Sequence, residues 1–225
     1  MEKISTGDIV IYENNSSHSL IVSVFGNSWQ SHVGVIIRYF QNHITTEKKG
    51  DIFILEAVPY FNFTGFNNIQ CPILLSLLDF EEIKKKTTKI TFRSLKSKYI
   101  KSDLPQKITT FLKENKNIKF TDSFLPFIQN WLRIPSAIKN NEMICTEFVY
   151  YFYLQVFNKK LTKYAPVLLK PSNFTYPNMK NSIFEDKEEL LFQQNCDFFH
   201  IVLPITIFIY FLLIMILIIG SLSKN

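Results

Sequence analysis

One cysteine of this sequence stands where the start of a helix could turn it into a nucleophile. Cys145 lies at the head of a strongly apolar, aromatic run, 148–157, which is predicted to be helical. Unpaired backbone N–H groups and the positive end of the dipole at a helix start favour a thiolate over a thiol. A small hydrophobic residue can also begin a helix without any chemistry, so Cys145 needs a base beside it to be a candidate nucleophile.

A histidine and a carboxylate are the candidate partners of this thiol. His32 opens a nearly continuous apolar run, 33–40, and Glu56 interrupts a second such run, 52–58. Runs of this kind are typical of buried strands, and the polar turn between them predicts an antiparallel pair. That pairing brings His32 and Glu56 towards the same end of the sheet. Because an unpaired buried charge costs roughly several kcal/mol, we expect Glu56 to bond a polar partner, and an imidazole is the simplest candidate.

The three residue types are those of a nucleophile, base and orienter. The imidazole would take the thiol proton and later protonate the leaving group, while the carboxylate would hold the imidazole in one tautomer. Taken alone, a histidine such as His32 is more often structural. Two other carboxylates have structural interpretations: Glu147 as a first-turn residue favoured by the helix dipole, and Asp8 as a turn or strand-edge residue.

Four ordered motifs, with a fifth behind them, carry a resemblance to a known family. They are Gly7-Asp8-Ile9-Val10, Ser31-His32-Val33-Gly34-Val35, Ile54-Leu55-Glu56-Ala57, Ile144-Cys145-Thr146-Glu147-Phe148-Val149 and Pro171-Ser172-Asn173-Phe174. The set resembles the permuted papain-like amidases of the YiiX/YaeF type. These are circularly permuted relatives of the NlpC/P60 hydrolases, with poxviral and lecithin:retinol acyltransferase-like cousins.

The resemblance implies an α+β fold in which an antiparallel sheet packs on the nucleophile helix. It also implies His32 as base, Glu56 as the polar third member and Cys145 as the nucleophile of a hydrolase or acyltransferase acting on an amide or ester. Phe120 falls where the family often has a Tyr-Asp pair, so a hydroxyl is missing, and the backbone N–H of Cys145 is the oxyanion donor we identify. The alternative is a catalytically inactive, membrane-tethered binding module that uses the same cleft.

The other elements follow from local patterns. Alternation and turn residues predict further strands, and apolar spacings of three and four predict helices. The predicted strands are 7–12, 72–75 and 89–93, and the predicted helices are one that begins at Asp103, one over 124–132 and the Cys145 helix, which ends at 158–160.

A membrane segment is predicted near the end of the sequence. The 22 uncharged residues 201–222 rise about 33 Å as a helix at ~1.5 Å each, against a hydrocarbon thickness of ~30 Å. We therefore divide the chain into a permuted NlpC/P60 papain-like domain, 1–178, a juxtamembrane linker, 179–200, and a transmembrane tail anchor. The start of the chain has no apolar signal-peptide run, so the catalytic domain is expected to face the cytosol. The bilayer then becomes a partner, and lipids, lipoproteins or peptide-like amides become candidate substrates.

Composition narrows the remaining function classes. The three cysteines are an odd number without C-x-x-C spacing, which argues against a disulfide framework and a structural zinc site. The net charge of +6 comes from dispersed lysines among 19 acidic residues, which gives little support for nucleic-acid binding and weakly favours an anionic membrane surface. No cofactor or metal is predicted.

Overall fold

The structure is a computed structural model, and in the residues that it describes two helices pack with one antiparallel sheet. It describes residues 3–14, 30–57, 73–77, 87–115, 119–120, 142–161, 169–179, 182–194 and 210–211. The strands in chain order are β1 (Ile9–Asn14), β2 (His32–Phe40), β3 (His43–Thr45), β4 (Asp51–Ala57), β5 (Ile73–Leu77), β6 (Thr87–Arg93), β7 (Lys119–Phe120), β8 (Glu142–Met143) and β9 (Glu189–Gln193). The helices are α1 (Leu104–Glu114) and α2 (Cys145–Phe157).

Seven of the described strands form the main sheet. Their order is β5-β4-β2-β1-β6-β9, with β3 paired to β2, and every pairing within it is antiparallel. The predicted pairing of the two apolar runs is confirmed, because Val35 of β2 lies opposite Leu55 of β4. Separately, β7 and β8 form a short parallel pair.

Helix α2 is buried on most of its circumference, as its nearly continuous apolar sequence predicts. It begins at Cys145 and ends before Asn158, which has the left-handed conformation typical of a helix C-terminus. Its aromatic side chains join a core cluster with one face of the sheet, including Val33, Val35 and Leu55. The predicted antiparallel sheet packed on the cysteine helix is therefore present.

Two strands of the main sheet were not predicted from the sequence. β3 lies in the segment interpreted as a polar turn, and β9 lies in the segment interpreted as a linker, 179–200. β9 pairs with β6, so Phe192 lies opposite Ile90. The chain divides into two compact units, Met1–Gln193 and Gln194–Asn225.

Several predicted segments lie outside the described residues. These are the helix over 124–132 and, apart from Tyr210 and Phe211, the membrane span over 201–222. In the part of the chain that is described, no helix is both long and apolar enough to cross a bilayer.

Asp8 fixes the turn that leads into β1. Its carboxylate is 1% exposed and accepts hydrogen bonds from the backbone N–H groups of Ser5, at 2.7 Å, and Leu95, at 2.8 Å. Burial raises the pKa of Asp8 to about 7, although these two N–H donors oppose the rise. The geometry gives Asp8 the turn role that the sequence suggested.

Candidate active site

Three element ends bring the candidate residues together. His32 is the first residue of β2, Glu56 is the last but one of β4, and Cys145 is the first residue of α2. His32 Nε2 and Glu56 Oε2 are 2.8 Å apart, and the two side chains are 13% and 15% exposed. The expected imidazole partner of the buried carboxylate is thus in place.

Cys145 lies near the imidazole of His32. Its thiol is free, its residue is 7% exposed, and its side chain acts on the pKa of the ring. Nε2 of the imidazole faces Glu56, and Cys145 acts on the same ring by raising its pKa.

The surroundings of His32 favour its charged form. Burial alone lowers the pKa of His32, but the charge and hydrogen bond of Cys145, followed by those of Glu56, raise it to about 10. The imidazolium is therefore retained at neutral pH. Because the pKa of His32 is higher in the folded state, this stabilisation is full below about 6.5 and is lost as pH rises through about 10.

The start of α2 is braced on both sides of the thiol. Glu147 Oε2 accepts the backbone N–H of Ile144 at 3.0 Å, which satisfies the residue before the helix. The Thr146 hydroxyl donates to the carbonyl of Leu169 at 3.1 Å. Burial raises the pKa of Glu147, opposed by the Ile144 N–H. Its role as a first-turn carboxylate is confirmed, and these contacts hold Cys145 in position.

Gly34 explains why the motif around His32 needs a residue without a side chain. A Cβ at Gly34 would lie 2.6 Å from Cγ2 of Ile54 and 3.4 Å from Cβ of Glu56. The branched Ile54 side chain has little room to move in the core. Glycine therefore lets β4 approach β2 closely enough for Glu56 to reach the imidazole.

One residue of the site was not identified in the sequence. Tyr12 of β1 lies opposite His32 in the strand register, and the two rings stack with centroids 5.8 Å apart. A tyrosine in an apolar strand is ordinary β-sheet composition. Nothing in the local sequence distinguished Tyr12 from the other aromatic residues of the strands.

Some features noted in the sequence lie outside the described residues. Only the backbone of Phe120 is described, so the structure does not test the prediction that a hydroxyl is missing there. Cys71 and Cys196 also fall outside the description. Among the described residues, no group of three or more His, Cys, Asp or Glu side chains could hold a metal ion.

Comparison with solved structures finds similarity at low sequence identity. No protein-family model matches the chain, and no curated protein matches it. The chain is similar to the crystal structure of metalloprotein YiiX from Escherichia coli O157:H7, with 14% identity and a TM-score of 0.43. The match covers 84% of this chain and 97% of that chain. A similarity of this degree establishes neither an activity nor the role of any residue.

Glu56→Gln is expected to slow the alkylation of Cys145 without abolishing it. The substitution keeps the side chain's size but removes the charge that raises the pKa of His32, so that pKa falls. Since a hydrogen bond to a charged group contributes about 1.5–3 kcal/mol, alkylation of Cys145 at mildly acidic pH should slow about tenfold. Histidine NMR titration and iodoacetamide kinetics measure the two effects.

The matched control for this variant is Glu47→Gln. Glu47 is an exposed carboxylate paired with Lys49, with a side chain that is 65% exposed. Its loss should change neither the His32 titration nor the Cys145 rate. If the two variants have the same His32 titration and the same Cys145 rate, Glu56 has no role in the site.

Proposed function

We propose that this chain is a cysteine hydrolase or acyltransferase with a permuted papain-like (NlpC/P60-type) domain, and that it attacks an amide or ester bond. The observation that carries the proposal is the hydrogen bond of 2.8 Å between His32 and Glu56, together with a thiol at the start of a helix. The side chain of Cys145 acts on the same imidazole and raises its pKa. A thiol at a helix start, a base and an orienter are the parts that thiol acyl transfer needs.

The chemistry follows from the protonation states at the site. The Cys145 thiolate attacks the carbonyl carbon, and the imidazolium of His32 gives its proton to the departing amine or alcohol as the thioester forms. Water, or an acceptor amine or hydroxyl, then attacks the thioester while His32 takes a proton from it. The thiolate leaves and recovers its pairing with the imidazolium. Glu56 keeps the ring oriented throughout.

The oxyanion would be held by the start of α2. As the first helical residue, Cys145 has a backbone N–H without an intrahelical partner, and the helix dipole adds positive potential there. Bracing by Glu147 and Thr146 keeps this donor fixed relative to the sulfur. Preorganised donors of this kind stabilise the tetrahedral intermediate.

The substrate class is proposed from the remainder of the chain. The apolar segment 201–222 would hold the enzyme at a membrane, with the catalytic domain on the cytosolic side, and the net charge of +6 favours an anionic surface. Lipid amides, phospholipids, lipidated proteins and peptide-like amides are the substrates that such a location would present.

Trapping of the thioester tests this function. The full-length protein is incubated with the p-nitrophenyl ester of a medium-chain fatty acid and, separately, with that of an N-acyl amino acid, then quenched in acid. Peptide mass spectrometry should find the acyl group on Cys145 and not on Cys71 or Cys196, and His32→Ala should remove it.

The same experiment separates the enzyme from a binding module. Cys145→Ser serves as the control, because an oxygen ester on the substituted hydroxyl would be far slower to form than a thioester on the native thiol. Wild-type protein that acquires no acyl group at Cys145 from either probe would support an inactive module that uses this cleft for recognition.

A further inference from the structure

Tyr12 packs its ring on the imidazole of His32. The two residues are register partners in the β1–β2 ladder, so their side chains share one face of the sheet. Their ring planes differ by 21° and their centroids are 5.8 Å apart. Tyr12 is 3% exposed, so its ring is fixed by the surrounding core.

The orientation of His32 matters because Nε2 must face Glu56 for their hydrogen bond to form. A half-turn of the ring about its Cβ–Cγ bond would put the carbons Cδ2 and Cε1 in the places of Nδ1 and Nε2 and would break that hydrogen bond. A stacked ring on one face removes the space through which the imidazole would swing. The stack therefore favours the orientation in which Nε2 faces Glu56.

The stack also bears on the charge of His32. The face of an aromatic ring carries negative quadrupole potential and attracts a cation within about 6 Å. The imidazolium of His32 lies at this distance from the Tyr12 ring. Burial, followed by the charge of Glu56, raises the pKa of Tyr12, so the ring stays neutral. A neutral tyrosine face next to the imidazolium stabilises the charged form.

The hydroxyl of Tyr12 makes no comparable contribution. It is buried and, among the described residues, has no hydrogen-bond partner. A buried donor without a partner is unfavourable for the fold. The ring and not the hydroxyl is thus the part of Tyr12 that the site uses.

We propose that Tyr12 is a positioning residue of the candidate site. Its ring holds the His32 imidazole with Nε2 towards Glu56, and its face stabilises the imidazolium. This inference rests on the proposed function, because Tyr12 acts through His32 and touches neither the thiol nor the bond that breaks.

The test compares the ring with the hydroxyl. Iodoacetamide rates of Cys145 are measured across pH in the full-length protein and in Tyr12→Phe and Tyr12→Leu. Tyr12→Leu should lower the rate at mildly acidic pH about tenfold and move the rise of the pH profile to higher pH, since about one pKa unit of imidazolium stabilisation is removed. Tyr12→Phe keeps the ring and should stay within about twofold of wild type.

The control removes a ring from the other end of β2. Tyr39 contacts Phe53 edge to face, and Tyr39→Leu should lower stability without moving the pH profile of Cys145. If Tyr12→Leu does not fold, as judged by circular dichroism, Tyr12→Met fills the space without a ring and takes its place.

Each outcome decides a different point. A loss in Tyr12→Phe equal to that in Tyr12→Leu would overturn the ring mechanism, and a wild-type profile in Tyr12→Leu would overturn the positioning role altogether. If His32→Ala leaves the rate of Cys145 unchanged, the proposed function fails independently of Tyr12. If His32→Ala slows the reaction while Tyr12→Leu does not, the positioning role alone fails.

Discussion

Replacing His32 with alanine is expected to slow iodoacetamide alkylation of Cys145 at mildly acidic pH by about a hundredfold. An ordinary thiol with a pKa of about 8.5 is less than ~1% thiolate near pH 6. In the proposed dyad the imidazole of His32 takes the proton of the thiol, and the alanine variant has no group to do so. Cys145, followed by Glu56, raises the pKa of His32, which makes the imidazole a stronger base.

The protein supplies its own references for this measurement. Cys71 and Cys196 are alkylated in the same tube, and their rates should not respond to the substitution. His43→Ala removes an exposed histidine and should leave Cys145 as reactive as in wild type. His32→Asn, which keeps a polar side chain of similar size, guards against a folding defect in the alanine variant. Wild-type Cys145 that reacts no faster than Cys71 would contradict the proposed dyad.

The His32–Glu56 contact could be predicted from the sequence because Glu56 is a charged residue in an otherwise apolar strand. A carboxylate inside an apolar strand must be paired, and the antiparallel geometry of β2 and β4 limited the partners to residues at one end. The helix start at Cys145 was equally visible, since a polar stretch precedes a continuous apolar run. The catalytic roles of these residues remain proposals, which the experiments above test.

The stacking of Tyr12 could not be predicted in the same way. It depends on the β1–β2 register, which places Tyr12 opposite His32, and a shift of one residue would put Ile11 there. The pattern Gly7 to Tyr12 predicts a strand but does not fix which residue faces which. Gly34 is similar, because its close approach to Ile54 becomes visible only when the strands are paired.

Strand β9 shows why one strand of the main sheet was interpreted as part of a linker. Its sequence, Glu189 to Gln193, alternates weakly and sits in a polar, partly acidic stretch, so local composition favours a linker. Its pairing partner β6 lies about a hundred residues earlier, and edge-strand propensity depends on that context. Non-local pairing therefore decided the structure of this segment, and a protein truncated at residue 178 would lose a strand of its sheet.

A buried arginine of β6 bonds the backbone of Phe174, Met179 and Glu185, which belong to residues 174–185, called the late segment below. Arg93 ends β6 and is 0% exposed, and its guanidinium donates to the carbonyls of Phe174 at 3.1 Å, Met179 at 3.2 Å and Glu185 at 2.9 Å. Its cation also lies 5.5 Å from the centre of the Phe184 ring. Burial lowers the pKa of Arg93, opposed by the charges of nearby acidic groups, yet an arginine remains protonated.

Arg93→Met is expected to lower the free energy of unfolding by about 3–5 kcal/mol. Replacing a buried ion pair with apolar residues is sometimes neutral, because both charged partners are removed together. Here the partners are three backbone carbonyls, two of them in buried hydrogen bonds, and the substitution removes the donor from all three. The loss of these hydrogen bonds therefore outweighs the free energy gained by not desolvating the guanidinium. Arg93→Lys should be intermediate, since a single ammonium does not reach three carbonyls in the geometry of a planar fork.

Lys96→Met is the matched control for the Arg93 measurement. Lys96 also donates to a carbonyl of the late segment, that of Ser182 at 3.0 Å, but its side chain is 23% exposed. Its loss should cost at most about 1 kcal/mol because water can solvate the freed groups. Denaturant unfolding followed by circular dichroism compares the variants. If Arg93→Met and Lys96→Met lose the same small amount, the late segment is held by its apolar contacts, such as Phe174 and Phe184, and not by the buried guanidinium.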